Sequence, residues 1–253
     1  MPIGIAVLCF GFYRFVNSFD PPLADYTQPT QTIDVPESPL DIAISQAIIA
    51  SDNYTHLEYA YPTESHIILK TDENENSITA YVMAYSAAFS YLDSKLLNVG
   101  GSHMPVAITF EKGSDGAYNL VEYWIPDDGA YYISSIQARF PKDIWDKIDT
   151  QHYVENQILK ALRNAQSHFG ITDFEKPEIR IIKPLVLDKG SKPNWEDYIS
   201  IIDDTDGEID FSEAYIWDVM IDFNKSGEYP LHIIVEDNAG NENRSLDNKV
   251  TVK

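Results

Sequence analysis

Residues 102–126 read SHMPVAITF, EKGSDGA, YNLVEYWIP. Two runs of alternating apolar residues flank a Gly113-Ser-Asp-Gly116 turn cluster, which is the pattern of a β-hairpin. If those four residues form the loop, Ile108 faces Val121, Val106 faces Tyr123 and Met104 faces Ile125. Met104, Val106, Ile108, Phe110, Val121, Tyr123 and Ile125 then share a core face. His103, Tyr118, Leu120, Glu122 and Trp124 fall on the opposite side. A sheet buried on one face alone keeps its other face polar, so Leu120 and Trp124 predict a helix packed there, or a partner surface. The amphipathic helix over Gln151–His168 is the expected cover.

Outward from this hairpin the chain falls into texture blocks. Residues 2–19 are apolar except for Arg14 and Asn17, shorter than the roughly 20 residues of a full membrane span. Three readings stay open: a short anchor, the tail of a transmembrane helix, or a buried helix. Residues 20–37 carry Pro21, Pro22, Pro29 and Pro36 among polar residues, an extended linker. Ser38, Pro39 and Asp41 mark a helix start, and Ile42–Ala50 supply its apolar body. Strand-like runs follow at Glu64–Lys70, Ile78–Tyr91, His103–Glu111 and Ala117–Ile125. Thereafter Val154, Ile158, Ala161, Leu162, Ala165 and Phe169 line one helix face, stopped at Gly170. Residues 38–174 therefore read as an α+β domain: helix, antiparallel four-stranded meander, closing helices.

From residue 175 the texture is all β. Short apolar runs alternate with Asp-Gly, Ser-Gly and Ala-Gly turns, the spacing of a sandwich. The expected core is Ile199, Ile201, Ile216, Val219, Ile221, Leu231, Ile233 and Val235.

Charge narrows the function classes. The net charge is −22, divided as −13 over residues 1–174 and −9 over 175–253. Neither part offers the clustered Lys and Arg that phosphate binding requires, which argues against nucleic acid as a partner. Cys9 is the only cysteine, so neither a disulfide framework nor a thiolate metal cluster can form. No cofactor is expected.

Two groups of residues invite a chemical reading. His103 with Glu122 could form a general acid–base pair in a cleft; the competing reading has His103 at a sheet edge and Glu122 solvated. Residues 202–213, IDDTDGEIDFSE, nearly spell a calcium loop, with Asp204, Asp206, Gly207, Ile209 and Glu213 in register. Ile202 stands where the first ligand belongs, and the residues after the loop alternate like a strand. An EF-hand is therefore rejected, and a Ca²⁺ site among Asp204, Asp206 and Asp237 is kept as the metal candidate.

Two resemblances add to this. Asp203-Asp-Thr-Asp-Gly-Glu-Ile209, Ser226-Gly-Glu-Tyr229, Glu236-Asp-Asn-Ala-Gly-Asn241 and Val250-Thr-Val252 make residues 175–253 similar to bacterial immunoglobulin-like surface domains. Glu64–Lys70, Gly100–Phe110 and Glu122–Gly129 resemble the extracytoplasmic C-terminal region of clostridial-type M56 (BlaR1-like) membrane peptidases, over about residues 54–168. No His-Glu-x-x-His occurs in the chain, so the zinc peptidase activity of that family does not carry over.

Together these imply a non-catalytic extracytoplasmic sensor or interaction module at a bacterial cell membrane, anchored through residues 2–19. Its tentative binding surface is Tyr118, Leu120, Glu122, Trp124 and His103, for a protein or cell-envelope ligand that the sequence does not name. A hydrolase using His103 and Glu122, and a surface adhesion or spacer protein, are the alternatives.

Overall fold

The computed structural model describes residues 38–51, 59–148 and 151–253; the expected anchor and linker lie outside them. Among the described residues no helix is long and apolar enough to cross a membrane. The described residues form two compact units, one of those up to 90 together with those of 98–165, the other of residues 91–97 together with 166–253. The division falls at residues 165/166, inside the last helix.

The first unit opens with α1 (Pro39–Ser51). Its start obeys the capping logic: the Ser38 amide donates to Asp41 Oδ2 at 3.1 Å, and the Asp41 amide donates to Ser38 Oγ at 3.2 Å. Two orphan amides at the helix start are thereby satisfied. Strands β1 (Tyr61–Glu73), β2 (Ser77–Leu92), β3 (Lys95–Lys112) and β4 (Tyr118–Trp124) follow in a four-stranded sheet of sequential order. This is the expected meander, with longer strands. Along β2 and β3 the alternation buries both faces of the sheet. On one, Ile44 and Ile48 of α1 pack with Val82, Val106, Ile108 and Phe110. On the other, Met83 and Ala107 pack with Ile136 of α2 (Tyr132–Arg139), Phe140, and Ile144 of the 3-10 turn Lys142–Lys147.

The hairpin departs from the expected register by two steps. The loop holds five residues: Lys112 pairs with Tyr118, and the Gly113 amide donates to the Ala117 carbonyl at 2.8 Å. That single added residue turns Tyr118 and Leu120 to the Phe110 side. A bulge at Val121, between the Thr109–Glu122 and Phe110–Leu120 pairs, reverses the inversion for the rest of the strand. Ile108 thus faces Tyr123, where Val121 was expected. Val121 and Ile125, both expected in the core, are exposed.

The last helix, α3 (Gln151–Phe169), buries Ala161, Leu162 and Ala165 as its apolar period predicts. It also buries two glutamines. Gln157, in the first unit, donates through Nε2 to the Ser65 and Met83 carbonyls, each at 2.8 Å.

In the second unit, strands β6 (Val186–Leu187), β9 (Tyr215–Trp217), β10 (Gly227–Glu236) and β11 (Glu242–Val252) form one sheet in the order β6-β11-β10-β9. Strands β5 (Glu178–Ile181), β7 (Ile199–Asp203) and β8 (Gly207–Glu208) form another. Both sheets feed one core, in which Ile199, Ile201, Leu231, Ile233, Val235, Val250 and Val252 are buried. Val219 is a correction: β9 ends at Trp217, and Val219 sits exposed in the turn beyond it.

Candidate functional site

The five residues of the expected binding surface do not share a face. Tyr118 packs edge-on against Phe110, ring centroids 6.0 Å apart, on the α1 side. Leu120 is exposed. Trp124 points the other way, its ring 5.9 Å from that of Phe140 and beneath the Arg139 guanidinium, while Glu122 forms an ion pair with Arg139. The cover over Trp124 is thus the end of α2, where the sequence pointed to the helix over 151–168. His103 contacts Gln157 Oε1 through Nε2 at 3.0 Å. Glu122 pairs with Thr109, six residues along β3 from His103, roughly 20 Å at strand rise. The two side chains do not converge, and the acid–base pair is not formed.

A second constellation, not foreseen, is buried on the α1 side. Glu64 and His66 stand two apart on β1 and so face the same way, toward Asp41 and Ser45, which stand four apart on α1. Ser45 Oγ donates to Glu64 Oε1 at 2.6 Å, His66 Nδ1 lies 3.0 Å from Glu64 Oε2, and His66 Nε2 lies 3.5 Å from Asp41 Oδ1. The His66 and Glu64 side chains are only 4% and 6% exposed. Burial pushes the Asp41 carboxyl up, but hydrogen bonds from Ser38 and the His66 imidazole outweigh it and hold the carboxyl below its ordinary value. Each charged group here has a partner.

The third constellation lies in the second unit and grows from two aspartate-headed turns. In Asp203-Asp-Thr-Asp-Gly207, Asp203 Oδ1 accepts the Thr205 and Asp206 amides, both at 2.9 Å, and Gly207 takes φ +78° to re-enter the ladder. In Asp237-Asn-Ala-Gly-Asn241, Asp237 Oδ1 accepts the Asn241 amide at 2.8 Å and Oδ2 accepts Asn241 Nδ2 at 2.8 Å. Asp206 ties the two turns together by accepting the Asn238 amide and Nδ2, each at 2.8 Å. The tie brings Asp203 and Asp237 close, and the segment after α3 adds Asp173. One oxygen from each of these three carboxylates lies within 4.8 Å of the others. Asp203 is 4% and Asp237 6% exposed.

Asp203 Oδ2 is buried with no hydrogen-bond partner. Burial pushes the Asp237 carboxyl up to about 6; the Asn241 bonds oppose this, and the neighbouring Asp173 and Asp203 add to it. Asp173 is raised as well, by burial first, with Asp203 adding to the rise against a hydrogen bond from Thr205. Beside the cluster lies a shallow depression lined by Asp206, Glu208, Asp210, Glu213, Glu236 and Asp237.

Of the expected calcium ligands only Asp237 belongs to this cluster. Asp206 ties the two turns together through Asn238 and is not one of the three grouped carboxylates, and Asp204 is exposed at the turn tip. Asp203 was legible as the residue heading a turn, but Asp173 lies 30 residues before it with no motif of its own. No protein-family model, no curated protein and no solved structure matches this chain.

Proposed function

We propose that the chain is a membrane-anchored, extracytoplasmic interaction module without a peptidase unit of its own. The observation that carries this reading is the apolar surface at the β4 edge of the first sheet. Leu120 and Val121 on this edge strand, and Ile125, Tyr131 and Ile133 just after it, are exposed, Val121 by 63% and Tyr131 by 70%. Edge strands present unpaired backbone groups, and exposed apolar side chains beside them mark a place where a protein partner adds contacts or a further strand. The surface is therefore centred on the bulge at Val121 rather than on Trp124.

The second unit supports an immunoglobulin-like reading. Seven strands divide into sheets of four and three around a shared core, and β6 pairs parallel with the final strand β11, as the split first strand of such sandwiches does. It departs from that plan where β8, in hairpin with β7, takes the place of a later strand in the second sheet.

Bacterial cells producing the full chain provide the test. Protease added outside intact cells should degrade it, and a photo-crosslinking residue at Val121 should give one discrete protein adduct that is absent when the same residue replaces Asp115. A chain protected in intact cells, with no adduct from Val121, would overturn the reading.

A further inference from the structure

We propose that Asp173, Asp203 and Asp237 form a binding site for a hard divalent cation, and that Ca²⁺ is the ion it fits. The proposal rests on the second unit alone and would hold whatever the first unit binds.

An acidic cluster is ordinarily a solvated surface, and this one is not. Asp203 is buried, its Oδ1 is occupied by two turn amides, and its Oδ2 has no partner. A buried carboxylate oxygen left unpaired is costly unless a cation meets it. Among the described residues none of the three carboxylates forms an ion pair with Lys, Arg or His. Like charges face one another there, and among the described residues no cationic side chain answers them.

The donor set selects the ion. All three ligands are carboxylate oxygens with neither imidazole nor thiolate among them, which suits Ca²⁺ or Mg²⁺ and not zinc. Three oxygens within 4.8 Å of one another can reach one ion together, and an irregular set drawn from two turns and a connecting segment suits the flexible shell of Ca²⁺ better than the near-ideal octahedron that Mg²⁺ demands. The turns hold the ligands ready, because backbone amides fix Asp203 and Asn241 fixes Asp237. Water completes the shell of six to eight oxygens that Ca²⁺ takes. The ion would staple a turn from each sheet to the segment that follows α3, so the β unit gains stability when calcium is present.

Titration calorimetry and thermal melts of the full chain, dialysed from EDTA, test this with CaCl2, MgCl2 and ZnCl2. One Ca²⁺ should bind per chain, with a dissociation constant at or below about 1 mM, the range of extracellular modules, and Mg²⁺ at least about ten-fold weaker. At a hundred-fold excess over that constant the second unit should melt about 10 °C higher. Asp203→Asn keeps an oxygen for the Thr205 and Asp206 amides and replaces the unpaired one. It should lose calcium binding yet melt no lower than wild type in EDTA, which a purely structural aspartate would not do. Should that variant fail to fold, Asp173→Asn, at a half-buried position, decides by binding calcium at least about ten-fold more weakly. Wild type that gives neither heat nor a melt shift with Ca²⁺, a decisive variant that binds it unchanged, or a preference for Zn²⁺ would each overturn the proposal.

Discussion

Two groups of buried carboxylates, one in each unit, solve the same problem differently. Around Glu64 the chain supplies compensation: Ser45 and His66 contact its oxygens, and His66 also reaches Asp41. Around Asp203 it supplies backbone and side-chain amides, which satisfy some lone pairs but bring no positive charge. The first arrangement lowers a carboxyl's pKa and the second raises it. Amides can orient a carboxylate, but only a cation can neutralise a cluster of them. The first unit sets an imidazole and a hydroxyl against its carboxylates; the second sets only amides against three of them.

The comparison breaks most readily at His66. Replacing it with leucine leaves Glu64 and Asp41 without their shared partner, and a loss of about 3–5 kcal/mol is expected from removing one side of a buried pair. Urea melts measure it, and a loss under about 1 kcal/mol, the range of ordinary surface changes, would mean that the two carboxylates do not depend on the imidazole.

Acid should then move the two units in opposite directions. The folded pKa of Asp41 lies below its unfolded value, so its stabilisation is present above about pH 4 and lost as pH falls through the folded value. That of Asp237 is raised to about 6, so without a cation its contribution to the second unit's stability is full below about pH 4 and lost as pH rises through 6. The change is on the order of 2–3 kcal/mol. Hydrogen exchange in EDTA at pH 5 and pH 7 resolves the units. Protection of the β10–β11 amides, corrected for intrinsic rates, should be greater at pH 5, and equal protection at both would remove the contrast.

A smaller effect sharpens the contrast within the first unit. Gln157→Leu leaves the Ser65 and Met83 carbonyls without their Nε2 donor, with an expected cost of about 2 kcal/mol by denaturant melts. The smallest effect belongs to the surface. Lys70→Met removes the exposed pair with Asp143 and should leave the urea midpoint unchanged, since solvent screens such pairs.

How much of this was written legibly in the chain follows from the range over which each signal acts. The Ser38–Asp41 cap, the apolar period of α3 and the alternation of β7 and β10 are local, and each formed where the residues placed it. The hairpin's register was not legible, because a five-residue loop and a bulge at Val121 follow from packing on both sheet faces and leave no mark on the alternation. The burial of His66 was not legible for the same reason: alternation separates the faces of β1 but does not say that α1 covers the one carrying Glu64 and His66. Asp237 could be found because it heads a turn. Asp203 heads a turn too, but nothing local says that the two turns meet, and Asp173 lies in the segment after a helix with no motif of its own.

The most direct measurement is a crystal structure of the chain grown with calcium, with anomalous data collected at long wavelength. A single anomalous peak about 2.4 Å from one oxygen each of Asp173, Asp203 and Asp237, with Asp203 Oδ2 among them, is the predicted result. The three carboxylates joined through ordered water alone at millimolar calcium, with no anomalous peak among them, would contradict it.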